Sequence, residues 1–231
     1  MESKAKTGVI TAAVLALVVG GGVGYALGNN GSKDEGGSTS NSTSSQAPNT
    51  ATKAADLRVV LNNLNAQHAD LASAATRAGF DGDPMFAASA ASLDENSVAI
   101  SKAVGSVYGP EAEAKFLEIW RSHIGFFVDY TVAAKGGDKA GMDKAVQDLN
   151  GYVEAISAFF SGANPNLPSE AVSALISEHV GLLKSAVDKH AAGDFAGSYQ
   201  AQNETRTQIT TKIADTVAGA IVKQSPDKFT N

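Results

Sequence analysis

Three histidines at matching places in the chain are the side chains best suited to chemistry. His68, His123 and His179 lie 55 and 56 residues apart, and each is followed 15 residues later by an Asp that comes directly after a Gly. Imidazoles projecting from facing helices can converge on a transition-metal ion, and copper and zinc both accept such ligands. One hypothesis is therefore a metal site at His68, His123 and His179, with copper as a candidate ion.

Each of these histidines also falls on an apolar helix face, which favours a structural role. His123, for example, stands between apolar pairs at 119–120 and 126–127. We expect each ring to be buried and hydrogen-bonded to an Asn or a carboxylate of its partner helix, with Asn96 and Asn150 as candidates. Metal binding is the alternative. It requires a closed arrangement, because equivalent residues of an open stack lie one repeat apart.

Motifs for other chemistry are missing from the sequence. There is no Glu-x-x-His, no His-Glu-x-x-His, no phosphate-binding loop and no nucleophile elbow. The chain contains no cysteine, which excludes disulfides, thiolate metal ligands and cysteine nucleophiles. Its formal net charge is -6 and it has no basic run, which argues against nucleic-acid binding. We predict that the protein is not an enzyme and has no catalytic residues. Met85 and Met142 are expected to fill the core.

The elements that position the histidines are predicted from the Gly-Asp pairs, because a left-handed glycine ends a helix and an aspartate caps the next one. Each repeat is then a helical hairpin. The apolar stripes give helices at residues 54–77, 84–107, 110–134, 139–161, 168–190 and 195–223. The predicted fold class is all-α, with about six antiparallel helices forming three repeated hairpins. These hairpins form either a bundle or a short solenoid-like stack.

An uncharged segment precedes the helical domain. At ~1.5 Å per residue, a helix over residues 8–28 spans the ~30 Å hydrocarbon core of a bilayer. Lys4 and Lys6 precede it, which favours an N-terminus inside and a C-terminus outside. A cleaved signal peptide is the alternative. Residues 1–7 are then cytoplasmic, residues 29–53 form a Ser/Thr/Gly linker that cannot fold, and residues 54–231 form the helical repeat domain.

The stretch LDENSVAISKAVGSVYGPEAEAKFLEIWRSHIGFFVDYT, residues 93–131, resembles a family of exported bacterial helical-repeat proteins. Some members carry a copper amine oxidase label by association with a neighbouring domain. The resemblance covers about residues 54–222 and is most specific at 106–109 and 123–126. It implies export and an all-helical fold, and it implies no oxidase activity. Relatives tend to carry a His-Met pair in the last helix, and residues 203–211 of this chain have none.

These features predict a single-pass protein of the cell membrane with an extracytoplasmic helical domain. The predicted role is interaction or scaffolding, with a protein partner or a second copy of the chain, and with the membrane bound through the N-terminal helix. The alternative is a domain that binds copper or another transition metal through the repeat histidines.

Overall fold

The structure is a computed structural model that describes residues 52–230. The predicted cytoplasmic segment, the predicted anchor at 8–28 and nearly all of the predicted linker lie outside the described residues. None of the helices within residues 52–230 has the length and hydropathy that crossing a bilayer requires.

Residues 52–230 form helices and contain no strand, which confirms the all-α prediction. The first five helices make two hairpins and the first arm of the third. The second arm of the third hairpin is an unbroken run of α-helix, π-helix and α-helix. The bounds are α1 (Lys53–Asp81), α2 (Phe86–Tyr108), α3 (Pro110–Gly136), α4 (Lys139–Ala163), α5 (Ser169–Ala191), α6 (Phe195–Gln208), the π segment (Ile209–Ala214), α7 (Asp215–Gln224) and a final 3-10 turn (Pro226–Phe229).

The Gly-Asp pairs turn the chain as predicted in the second and third hairpins. Gly137 and Gly193 have φ angles of 66° and 78°, in the left-handed region. The side chain of Asp138 accepts a hydrogen bond from the backbone N of Gly141, and Asp194 does the same for Gly197.

The first hairpin departs from this pattern. Gly82 is left-handed as expected, with a φ of 74°, but α1 runs to Asp81 instead of ending at 77, and α2 begins at Phe86 instead of 84. Asp83 still accepts from a free backbone N–H, but the donor is Met85, two residues later, instead of the residue three positions later. A Cβ on Gly141, the third residue after its aspartate, would lie 2.6 Å from the Asp138 Oδ2. Phe86 occupies the matching position of the first hairpin and carries such a Cβ.

The three hairpins close into a ring. Each hairpin packs its two arms together, α2 contacts α3, α4 contacts α5, and α1 contacts α6, the π segment and α7. The first arms, α1, α3 and α5, also contact one another. Of the two predicted arrangements, the bundle is therefore right and the open stack is wrong.

Candidate functional site

The closed ring brings the three repeat histidines into one buried cluster. His68 on α1, His123 on α3 and His179 on α5 are 1%, 3% and 5% exposed, so their predicted burial is confirmed. The ring centres of His68 and His123 are 5.5 Å apart. His179 lies close enough that a charge on it would lower the pKa of both others. The histidines converge because α1, α3 and α5 contact one another and each carries its histidine at the equivalent position.

His179 has a hydrogen-bond partner on its own hairpin. Its Nδ1 lies 3.2 Å from the Oε1 of Gln208, and the Nε2 of Gln208 donates to the backbone carbonyl of Leu175 at 2.8 Å. Since the amide nitrogen faces a carbonyl, the amide oxygen must accept from the imidazole. His179 therefore carries its proton on Nδ1, which leaves the lone pair on Nε2. The partner is a Gln, not the Asn or carboxylate that we expected.

His68 and His123 differ from His179, because neither completes a hydrogen bond of good geometry to a side chain of its second arm. Both ring nitrogens of His68, and Nδ1 of His123, are buried without a hydrogen bond. Asn96, an expected partner, lies beside His68, where its amide favours the protonated ring and its buried Oδ1 has no other partner, while its amide nitrogen donates to Leu64 and Gln67. Asn150, the other expected partner, is exposed.

Burial keeps all three imidazoles uncharged at neutral pH. Desolvation lowers the pKa of His68 to about 3 and that of His179 to about 4. It also lowers the pKa of His123 well below its ordinary value. A neutral imidazole offers one N–H donor and one lone pair. The cluster is therefore a set of uncharged donors and acceptors.

The aromatic side chains around the cluster fix the ring positions. Trp120 lies 4.8 Å from the ring centres of both His68 and His123. Tyr152 stacks on His123 with ring centres 4.5 Å apart. The Nε1 of Trp120 is a further buried polar atom without a partner.

A metal-binding set of three or more His, Asp or Glu side chains does not occur within residues 52–230. Metal binding by His68, His123 and His179 therefore stays a prediction. Met85, expected in the core, is 63% exposed, whereas Met142 packs beside Tyr130, Ala145 and Val187.

One position that decides the hydrogen bonding was missed by sequence reasoning. The residue 29 positions after each repeat histidine lies on the second arm of the same hairpin, and it is Ser97, Tyr152 or Gln208. Gln208 bonds His179 and Tyr152 stacks on His123. Ser97 is too short to do either, and its hydroxyl donates to the carbonyl of Leu93. The repeat spacing itself, applied to the second arms, was the signal that could have found this position.

A cavity of about 330 Å³ lies between the first and second hairpins. It is partly open to solvent and is lined mainly by apolar atoms of α1, α2 and α3. His68 and His123 are among its most buried lining residues, whereas Val132, which also lines it, is 64% exposed. The cavity therefore runs from an apolar rim inward to two imidazoles.

Small residues on α1 account for this cavity. Four and seven residues after the repeat histidine, α3 carries Phe127 and Tyr130, whereas α1 carries Ala72 and Ala75. Both alanines line the cavity. The interface between the second and third hairpins is filled by Tyr130, which packs on Val187 and donates its hydroxyl to Asp188 at 2.5 Å.

The fourth histidine belongs to a different place. His190 lies in the last turn of α5, as predicted, and it is buried, with Nε2 2.8 Å from Asp81 Oδ1. Phe80 and Phe195 pack on its ring with centres 5.4 and 5.2 Å away. It fills the interface between the third and first hairpins.

Comparisons with known proteins add no further information on the site: no protein-family profile, no curated protein and no solved structure matches the chain. The resemblance to exported helical-repeat proteins therefore stays a prediction.

Proposed function

We propose that the chain is a membrane-tethered, extracytoplasmic binding protein whose helical domain takes up a small, mainly apolar molecule. The observation that carries this proposal is the cavity of about 330 Å³ between the first two hairpins. Pockets that bind small molecules have volumes of about 300–1,000 Å³ and are apolar with a few placed polar groups.

The contrast between equivalent interfaces supports a binding role. Interiors pack to crystal-like density, so a cavity of this size costs stability. The same fold fills the matching interface with Tyr130, which packs on Val187. The exposed apolar side chains of Val132 and Met85 add a second argument, because Val132 lies on the rim and Met85 precedes the lining residue Phe86.

Trp120 allows a direct test because it is the chain's only tryptophan and lies 4.8 Å from the rings of His68 and His123. Titration of the full chain with propylbenzene, followed by Trp120 fluorescence, should give a saturable change. The variant Ala75→Phe should abolish it, because the new ring fills the cavity as Tyr130 fills the second interface.

The matched control is Ala155→Phe, which adds the same ring at an exposed site on α4. It should bind propylbenzene like the parent chain. Equal binding by the parent and Ala75→Phe would place the ligand elsewhere and would refute the proposal.

Metal binding is the second candidate function. The observation that favours it is the pair of neutral imidazoles, His68 and His123, with unpartnered ring nitrogens and ring centres 5.5 Å apart. Copper(I), zinc, nickel and iron titrations should then show one ion per chain that raises Tm, and His68→Ala should abolish the effect. No Tm shift with any of the four ions would reject this candidate.

A further inference from the structure

The chemistry of the cavity's inner end defines which small molecule it fits. His68 is 1% exposed and His123 is 3% exposed, and both line the cavity. Both nitrogens of His68 and the Nδ1 of His123 complete no hydrogen bond of good geometry, although the Asn96 amide lies beside His68 and the Trp120 backbone lies beside His123. Leaving buried donors and acceptors unpaired is unfavourable, because each group has lost its hydrogen bonds to water. A ligand atom that pairs with them recovers that cost.

The other polar side chains of the lining already have partners. The Thr76 hydroxyl donates to the carbonyl of Ala72 at 2.9 Å, and the Thr131 hydroxyl donates to that of Phe127 at 2.7 Å. Asp83, on the exposed rim, accepts from the backbone N of Met85. The imidazoles of His68 and His123 are therefore the lining groups that can recognise a polar atom deep in the cavity.

Two neutral imidazoles fit a hydroxyl group better than other polar groups. A neutral ring offers one donor and one acceptor, and a hydroxyl is itself one donor and two acceptors. One histidine can donate to the hydroxyl oxygen while the other accepts its proton. A carboxylate or an ammonium group would bring an unpaired charge into apolar surroundings, which costs far more than burying a hydroxyl.

We propose that the cavity selects an uncharged, largely apolar molecule with one hydroxyl group, such as an alkylphenol, and that His68 and His123 hydrogen-bond this hydroxyl. This proposal rests on the proposed function, because it assigns the chemical class of the ligand that the same cavity binds. The apolar body lies against Ala72, Ala75 and Phe127, which line the cavity between the histidines and the rim.

A competing anion would find its charge partner at the rim instead. The Nζ of Lys135 lies 3.1 Å from where a Cβ on Gly82 would stand, and Gly82 lines the cavity. A carboxylate ligand would therefore be held at the outer end by Lys135, away from the histidines. A hydroxyl held by the histidines and a carboxylate held by Lys135 therefore predict opposite orders of affinity for ligands of one size.

The test uses three ligands of one size, 4-propylphenol, propylbenzene and 4-propylbenzoate, each titrated into the full chain at pH 7.5 and followed by Trp120 fluorescence. We expect 4-propylphenol to bind about tenfold tighter than either other ligand, the ratio that one net hydrogen bond to a buried group provides. In the double variant His68→Leu/His123→Leu the preference of the phenol over propylbenzene should fall to about one.

The control is His190→Leu, which removes a buried histidine that does not line the cavity, and which should keep the tenfold preference. Because the double variant can fail to fold, a second measurement uses the parent chain. The imidazole ¹⁵N resonances of His68 and His123 should shift with 4-propylphenol and stay nearly unchanged with propylbenzene.

The outcomes separate this inference from the proposed function. Equal affinities for the phenol and propylbenzene, or unchanged imidazole resonances with the phenol, would overturn the hydroxyl recognition and leave the cavity as an apolar binding site. Tightest binding of 4-propylbenzoate would overturn it in favour of an anion held by Lys135. Binding of none of the three would overturn the proposed function itself.

Discussion

The interface between the first and second hairpins and the interface between the second and third are built from the same repeat and differ in what fills them. Seven residues after its histidine, α3 carries Tyr130, which packs in the second interface. At the matching place α1 carries Ala75, with Ala72 one turn before it, and the first interface holds a cavity of about 330 Å³.

The hydrogen bonding of the histidines also differs between the first and third hairpins. At the position 29 residues after the histidine, the third hairpin supplies Gln208 to His179, whereas the first hairpin has Ser97, which is too short to bond His68. The first hairpin thus lacks both the large side chains of α3 and the glutamine partner that His179 has in the third hairpin. A repeat fold can therefore create a binding site by reducing side chains at a few positions of one copy while the others hold the ring together.

Acid should unfold the domain, and this is the largest effect we expect. Burial lowers the pKa of His68 to about 3 and of His179 to about 4, and lowers that of His123 as well, against about 6.5 in an unfolded chain. Below pH 6.5 the unfolded state binds protons that the folded state does not, so stability is full above pH 6.5 and is lost as pH falls toward 4. Each histidine contributes about 1.4 kcal/mol per pH unit in that window.

His68 and His179 together should therefore remove about 4–5 kcal/mol between pH 6.5 and 4.5, with a further loss from His123, and this is a large share of the stability of an ordinary domain. Urea unfolding at a series of pH values measures this slope. In the variant His68→Leu, the slope of the free energy of unfolding against pH should be smaller by about one proton. A stability that is flat from pH 7 to pH 5 would contradict burial of the histidines.

Truncating a side chain that fills the second interface should cost more stability than a substitution in the first interface. Tyr130→Ala removes a side chain that is 2% exposed, together with its bond to Asp188, and should destabilise the domain by about 3–5 kcal/mol. Thermal unfolding measures the loss. The control is Tyr199→Ala, which removes a tyrosine that is 56% exposed and should cost less than about 1 kcal/mol. Equal costs would show that the second interface is not packed as described.

The fold was predictable because the residues that end one helix and begin the next lie within a few residues of one another in the sequence. Gly82, Gly137 and Gly193 mark the hairpin turns, and the predicted helix ends fall within four residues of those observed. The largest errors lie at the first hairpin, where Phe86 stands in place of the glycine of the other two turns and Asp83 bonds Met85.

The site was only partly predictable, because it depends on ring closure. The sequence places His68, His123 and His179 on apolar faces, but their convergence requires α1 to pack against α6 and α7, more than 100 residues away. Apolar stripes are not specific enough to select that partner. The small residues Ala72, Ala75 and Ser97 were visible by aligning the repeats, yet small residues indicate a cavity only once the neighbouring helices are known.

The smallest expected effect separates the histidines of the two regions. His68→Leu removes a buried ring whose two nitrogens lack partners, and it should leave stability unchanged or raise it by about 1 kcal/mol. His179→Leu removes the donor to the Gln208 Oε1 and should cost about 1–3 kcal/mol, because that oxygen stays buried without a partner. Urea unfolding at pH 7.5 resolves the difference. A greater loss for His68→Leu than for His179→Leu would mean that His68 has a hydrogen-bond partner in solution, and the first hairpin would then no longer differ from the third in this respect.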